Sequence, residues 1–502
     1  MIRLTALWMF VAVMTVYARR DWYVSLCGLI VMMAVIEHPD MPKTMFGIQG
    51  LNPWNLLLMA VVAGWLAARK REGLDWDMPR TVTVLLLLYL GVVVVAFARM
   101  MVDRAHLHDW TTASLVSEYF INRIKWVIPG LLLFVGCRTR QRFYMAVAAV
   151  LAVYALLGLY VIKWMPLGLL TSGDELERRA LKILVNEIGY HRVNMSMMLA
   201  AASWAIFASR VLCRDRRQRA FMILAAAIVV YAQVLTGGRM GYVTWAAIGL
   251  VLCCIRDRAL LAAGPVLVAA LLVAVPAAGE RMLEGFDSST FDYATGRDPY
   301  ELQRSGPELA TVTAGRTRIW PFVQDKIAEA PVAGHGLLAM RRTGLVTLLA
   351  EDLDEAFEHP HNAYLELLLD NGVIGAIAIL PFYALVLWRA LRLYADTRSP
   401  VFVATGGVAA AFILALLVAG MGSQTFYPRE GAVGMWCAIG LLMRVWVQRS
   451  RVLGARAAQP AAQFAGGIVW PGPPRRESRP TLDRATAQAA APSFDSDLWR
   501  AA

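Results

Sequence analysis

The sequence predicts an all-α, polytopic bundle of twelve or thirteen membrane-spanning helices with one large external loop that holds short helices. Three observations predict it: an apolar composition, a series of apolar runs of span length, and basic clusters in every second gap between them. Of 502 residues, 58% are hydrophobic and only 17% charged, and mean hydropathy is +0.52. Soluble domains sit near 45–50% apolar and about 25% charged. A soluble enzyme is therefore excluded.

A hydrocarbon core about 30 Å thick needs roughly 17–25 apolar residues per helix. Candidates lie near 4–18, 22–37, 51–68, 81–100, 119–137, 143–164, 193–209, 220–236, 240–255, 259–278, 363–388, 401–420 and 431–447. The first two are short, which leaves the count at twelve or thirteen. Arg19-Arg20-Asp21 is a cytoplasmic flank and no small-residue cleavage site precedes the second run, so 4–18 reads as a retained span.

Short cytoplasmic loops are enriched in Lys and Arg. Clusters fall at Arg19-Arg20, Arg69-Lys70-Arg71, Arg138/Arg140/Arg142, Arg210 to Arg219, Arg256/Arg258, Arg389/Arg392/Arg398 and from Arg444 onward. The alternation puts gaps 38–50, 101–118, 165–192, 237–239, 279–362 and 421–430 outside. Four regions follow: N-terminal spans over 1–278, the large outer loop over 279–362, C-terminal spans over 363–450 and a cytoplasmic tail over 451–502. That tail, with Pro471-Gly-Pro-Pro-Arg-Arg, has no apolar period and reads as disordered.

The formal charge of +12 lies mostly in those clusters. They face anionic lipid, so the bilayer is the expected partner and nucleic acid is not. Cys27, Cys137, Cys213, Cys253, Cys254 and Cys437 all lie in or beside apolar runs. Neither a disulfide framework nor metal-ligand spacing is present, and no cofactor is expected.

The densest chemistry is His359-Pro360-His361-Asn362-Ala363-Tyr364-Leu365-Glu366, entering an apolar helix that carries Gly372 and Gly375. Pro360 cannot sit inside a helix and Asn362 can cap one, so a helix starts here. A helix start lowers the pKa of His361 and favours the neutral imidazole, the form that takes a proton from a hydroxyl. Tyr364, three residues on, shares its face. A surface histidine beside a membrane helix is the alternative.

Thr236-Gly237-Gly238-Arg239 is a tight outer turn between spans. A boundary arginine offers a planar fork for phosphate oxygens, or else it snorkels to the headgroups. Gly315-Arg316-Thr317-Arg318-Ile319-Trp320-Pro321, followed by Ala330-Pro331-Val332-Ala333-Gly334-His335-Gly336, suits an anionic amphiphile or an ordinary loop helix. Arg123, Lys125 and Lys163 flank span ends where snorkelling is cheap. The spans carry neither a carboxylate relay nor repeated halves, which argues against a secondary transporter.

Together these residues resemble the bacterial O-antigen ligase and polymerase superfamily of membrane glycosyltransferases. The ligase-type signature pairs a His and an Asn with two glycines, and His361-Asn362, Gly372 and Gly375 fit its spacing. Gly315-Arg316 with Trp320, then Pro331, Gly334 and Gly336, resembles the outer-loop pattern, and Gly238-Arg239 the turn before a span. The resemblance covers roughly 220–390.

It implies metal-independent, inverting glycosyl transfer at the periplasmic face of a bacterial inner membrane, from an undecaprenyl-diphosphate-linked glycan. Arg239 and Arg316 would grip the diphosphate, and His361 would orient or deprotonate the acceptor hydroxyl. Arg318, Trp320, Asn362, Tyr364, Glu366, Gly372 and Gly375 would support them. The His-Asn form leans toward ligation onto lipid A core. A growing glycan as acceptor, as in O-antigen or exopolysaccharide polymerases, and protein O-glycosylation remain open, as does a transporter of lipid-linked glycans, which would not need His361.

Overall fold

A computed structural model describes residues 2–45, 48–166, 168, 172–283, 316–353, 357–422 and 424–464. Gly315, much of the predicted outer loop and the tail beyond 464 lie outside the described residues.

The predicted apolar runs are helical over most of their length. Among the described residues, eight helices are long and apolar enough to cross a membrane, four shorter apolar ones join them, and Ala259–Ala274 with Pro276–Leu283 form a pair bent by 111°. The run expected over 259–278 is therefore not one straight helix. Pro276 has no amide hydrogen to continue the ladder and turns the chain aside. At the other end of the chain, the last helix is Val433–Phe464. It passes the boundary expected near 450 because Ala, Arg and Gln carry helical propensity without an apolar period.

Pro400–Ala419 and Glu430–Leu453 form the centre, their apolar windows 89% and 83% buried, whereas Arg80–Val102 and Arg216–Val234 are 28% buried and present Leu and Val outward. Water drives no association between helices in lipid, so close backbone approach must hold the centre together. Gly130 and Gly440 face each other, and a Cβ on Gly440 would overlap the carbonyl of Gly130. Gly406 lies equally tight against the Ala390–Tyr394 backbone.

The gaps expected outside meet at one end. Gly50 faces Ser117, Arg342 pairs with Asp103, the Gly173 amide donates to Glu280, Arg192 donates to the Gly237 carbonyl, and the Ala363 amide donates to the Gly420 carbonyl. Basic clusters meet at the other end, where Asp77 binds Arg138, Arg444 and Arg451 and Asp257 binds Arg210. Arg80–Val102 joins the two, its 23 residues spanning about 35 Å at 1.5 Å per residue.

Candidate active site

The end where the outer gaps meet is built from helix starts. Arg192–Ser209, Arg239–Ile255 and Arg316–Glu329 each have arginine as their first residue, and Ala363–Ala395 starts just after His361. Their mutual electrostatic influence ties them into one place. Arg316 is buried and feels Arg239 and Arg192, so its hold on its proton is weakened first by burial and then by those two cations. Helix N-termini carry partial positive charge, so arginines there add to the field instead of offsetting it.

The Thr236-Gly237-Gly238-Arg239 turn is held in place from within. Gly237 adopts φ 63°, the Thr236 hydroxyl donates to the Gln233 carbonyl at 2.6 Å, and the Tyr242 hydroxyl donates to the Val234 carbonyl at 2.8 Å. Arg192 and Arg281 both pair with Glu177, on the helix Gly173–Ile183. Arg192, Arg281 and Glu177 escaped the sequence reading. His191-Arg192 directly before an apolar run repeats the pattern of Gly238-Arg239, a signal that could have found it.

The His359–Asn362 segment is held on both sides. Asn362 caps the helix as its residue type predicts, accepting from the Tyr364 and Leu365 amides at 3.0 and 3.2 Å. Trp320 donates its indole N–H to the Pro360 carbonyl at 3.2 Å, so the outer-loop tryptophan pins the turn. His361 itself adopts φ 52°, a left-handed conformation that costs a non-glycine residue on the order of 1–3 kcal/mol. Its ring lies 4.4 Å from that of His359. Burial, then His359, Arg316 and His191, push its pKa down to about 3. The imidazole is neutral as expected, but burial is the largest cause and cationic neighbours add to it.

Gly372 and Gly375 act through the backbone. The helix Ala363–Ala395 breaks at Gly372, which adopts φ 60° and ψ −164°. Into the break slides Pro331–Gly336: the amides of Val373 and Ile374 donate to the carbonyls of Pro331 and Val332, and the amides of His335 and Gly336 donate to those of Leu369 and Asp370. A Cβ on Gly372 would overlap the Val332 carbonyl, and one on Gly334 (φ 63°) the Asn371 amide. Gly375 leaves the room that the Asn371 side chain takes at the kink. Arg99 holds the inserted segment by its Ala333 and Gly334 carbonyls.

Not every candidate is brought in. Arg318 is exposed, on the outer side of its helix. Tyr364 does not flank the histidine, since its hydroxyl donates to the Leu417 carbonyl at 2.9 Å and its ring packs edge-on against Phe426. Glu366 lines a cavity of about 320 Å³ with His359, Arg123 and Arg429. Arg123 does not snorkel but stacks on Tyr427 at 4.3 Å, and Lys125 is buried against Trp126 at 4.2 Å. Both cations face π-systems that replace their hydration. Among the described residues, no group of three or more His, Cys, Asp or Glu is arranged to hold a metal ion.

This fold and site define a multi-pass, all-helical membrane protein with a cationic, histidine-bearing centre at one end. Residues 221–380 match the family described as O-antigen ligase. The matched stretch contains Arg239, Arg316, Trp320, His361, Gly372 and Gly375. A Rickettsia conorii protein, a polysaccharide ligase by name, is 32% identical over 88 residues, 16% of this chain and 21% of the relative. The chain thus spans about a fifth of the curated relative it matches.

Proposed function

We propose that this centre transfers a glycan from an undecaprenyl-diphosphate carrier to an acceptor hydroxyl at the periplasmic face of the inner membrane, with inversion at the anomeric carbon and ligation onto lipid A core as its task. The observation that carries this reading is the meeting of four helix starts, three of them led by Arg192, Arg239 and Arg316, beside a half-buried His361 whose pKa is pushed down to about 3. Clustered guanidinium groups repel one another, and a diphosphate relieves that repulsion with charge and bidentate acceptors.

In the reaction, the acceptor oxygen gives its proton to an imidazole nitrogen of His361 and attacks the anomeric carbon from the side opposite the diphosphate. The bond from that carbon to the phosphate oxygen breaks, and the carrier leaves as its diphosphate. Negative charge growing on the leaving oxygen is met by the arginines, which are already in place. Bound diphosphate also offsets the cations that depress the imidazole, so His361 gains basicity when the donor is loaded.

The test is transfer in membranes from a strain that accumulates the lipid-linked donor, read as the glycan ladder. His361→Ala is expected to lose 10²–10⁴-fold, on the order that general-base assistance supplies, with expression intact, and His359→Ala to lose less. Normal transfer by His361→Ala, or a deadlier His359→Ala, overturns the assignment. Sidedness is checked by reporter fusions: a phosphatase near residue 320 is expected to be active and a fluorescent protein there dark.

A further inference from the structure

The cavity beside the histidine turn differs in chemistry from the arginine cluster. Glu118, Glu358, Glu366, Asp370 and Glu430 line it, against the cations Arg123 and Arg429. Two of those carboxylates are already engaged with cations, Glu430 by Arg429 and Glu358 by Arg341. Asp370 accepts from the Tyr427 hydroxyl at 3.0 Å and from the Ala339 amide at 3.2 Å. Carboxylate oxygens accept and cannot donate, so the surplus on this wall is of acceptors.

An independent observation points the same way. Gln424 lines the cavity and is 4% exposed, and its carbonyl oxygen has no hydrogen-bond partner, while its amide N–H donates to Asn194 at 2.7 Å. A buried amide oxygen left unpaired costs about 1–3 kcal/mol, which a ligand hydroxyl recovers once the side chain turns this sealed oxygen toward the cavity. The wide helical turn Ser117–Ile121 carries Glu118 and Tyr119 into the wall. Such turns often mark functional sites. Tyr119 and Trp126 add apolar surface to the lining.

At about 30 Å³ per liquid water, a volume of 320 Å³ holds about ten waters, enough for one partly hydrated sugar ring. We infer that this cavity seats the terminal sugar of the acceptor as a neutral or amino-bearing polyhydroxyl ring and turns away a ring that carries a carboxylate or phosphate. The inference rests on the glycosyl-transfer reading for the word acceptor, but the binding chemistry stands apart from it. His359, which lines the cavity and packs at a tilt against His361, is the shared wall between this pocket and the arginine cluster.

The experiment is saturation-transfer NMR on the purified full chain in detergent, with methyl glucoside, methyl glucosaminide and methyl glucuronide as probes. The first two are expected to bind and the glucuronide to bind at least tenfold more weakly. Gln424→Met is expected to weaken methyl glucoside several-fold, and Glu366→Gln to bring glucuronide closer to glucoside. Equal binding of all three probes, or an order left unchanged by both variants, overturns the inference. So does loss of the glucoside signal on adding lipid-linked donor, because a donor sugar would then own the cavity. The same titration on His361→Ala separates the two readings: probe order kept while His361→Ala still transfers glycan sinks the catalytic proposal and leaves this one standing.

Discussion

Arginines gather at both ends of this bundle, but they meet different partners there. At the Asp77 end, guanidinium groups meet carbonyls that helix C-termini leave unpaired. Arg138 donates to the Val135 carbonyl at 2.8 Å and Arg444 to that of Phe134 at 2.7 Å, both in the last turn of Ile128–Gly136, while Asp77 takes Arg138, Arg444 and Arg451. Charge, dipole and hydrogen-bond geometry agree there. At the other end, Arg192, Arg239 and Arg316 begin helices, where the dipole opposes them. One residue type thus does two jobs. At the Asp77 end one carboxylate takes three guanidinium groups, and at the other end Glu177 takes Arg192 and Arg281 while Arg239 and Arg316 add further positive charge nearby.

The largest effect is expected where the fold depends on the pairing. Arg444 is 0% exposed, so Asp77→Ala strands its charge, and removing one partner of a buried pair costs on the order of 3–5 kcal/mol. Thermal unfolding in detergent is expected to show a large drop or no folded protein at all. A near-normal melting point for Asp77→Ala would erase the distinction between the two ends.

Arg239→Ala and Arg316→Ala are expected to invert that pattern. Transfer falls by about 10²–10³-fold, as when a single preorganised donor to a developing anion is removed. Thermal stability falls far less than for Asp77→Ala, because Arg239 and Arg316 are only half-buried whereas Arg444 is fully buried. Lysine is expected to rescue poorly for want of the bidentate fork. Should either alanine variant melt as low as the Asp77 variant, the arginine is structural.

A smaller loss is expected at the helix break. Gly372→Ala must place a Cβ against the Val332 carbonyl at φ 60°, a backbone conformation that costs a non-glycine residue roughly 1–3 kcal/mol. The strain is local, so transfer is expected to fall further than the melting temperature does, as the inserted loop and the His361 turn shift together. Unchanged transfer in Gly372→Ala would uncouple the break from the site.

How far the sequence carried the reading follows from the range of each signal. Span positions, the Asn362 cap and the alternation of basic gaps are local in the chain, and the runs are helical over most of their length, with the bend at Pro276 as the main departure. Motif order was legible enough to single out Arg239, Arg316, Trp320 and His361. What the glycines do was not, because the docking of Pro331–Gly336 into the break at Gly372 joins segments nearly forty residues apart. Arg192 was passed over as a span boundary, and Tyr364 was placed on the wrong neighbour because helical spacing fixes a face but not what packs against it. The cavity draws on Glu118, His359 and Gln424 from three separate gaps, a grouping that only the fold creates.

The smallest expected effect is on rate as pH falls, and it separates His361 from an exposed histidine. With the pKa of His361 pushed down to about 3 by burial and its neighbours, the free enzyme keeps a neutral imidazole through pH 5. A profile of kcat/KM for the donor, which reports the free enzyme, is therefore expected to change less than about twofold between pH 8 and 5 from this group. In the donor-loaded state the diphosphate favours the imidazolium, so kcat is expected to break at a higher pH than kcat/KM. Stability runs in a fixed direction: an unfolded histidine binds its proton near pH 6.5 and the folded one resists until about pH 3. As pH drops below 6.5 the unfolded state gains protons first, and the melting temperature falls. His191 and His359, whose pKa values burial also lowers, add to the slope, and His361→Gln is expected to flatten part of it. A break in kcat/KM near 6.5, with a melting temperature indifferent to His361→Gln, would mean that water reaches the imidazole freely and that the arginine end does not hold it neutral.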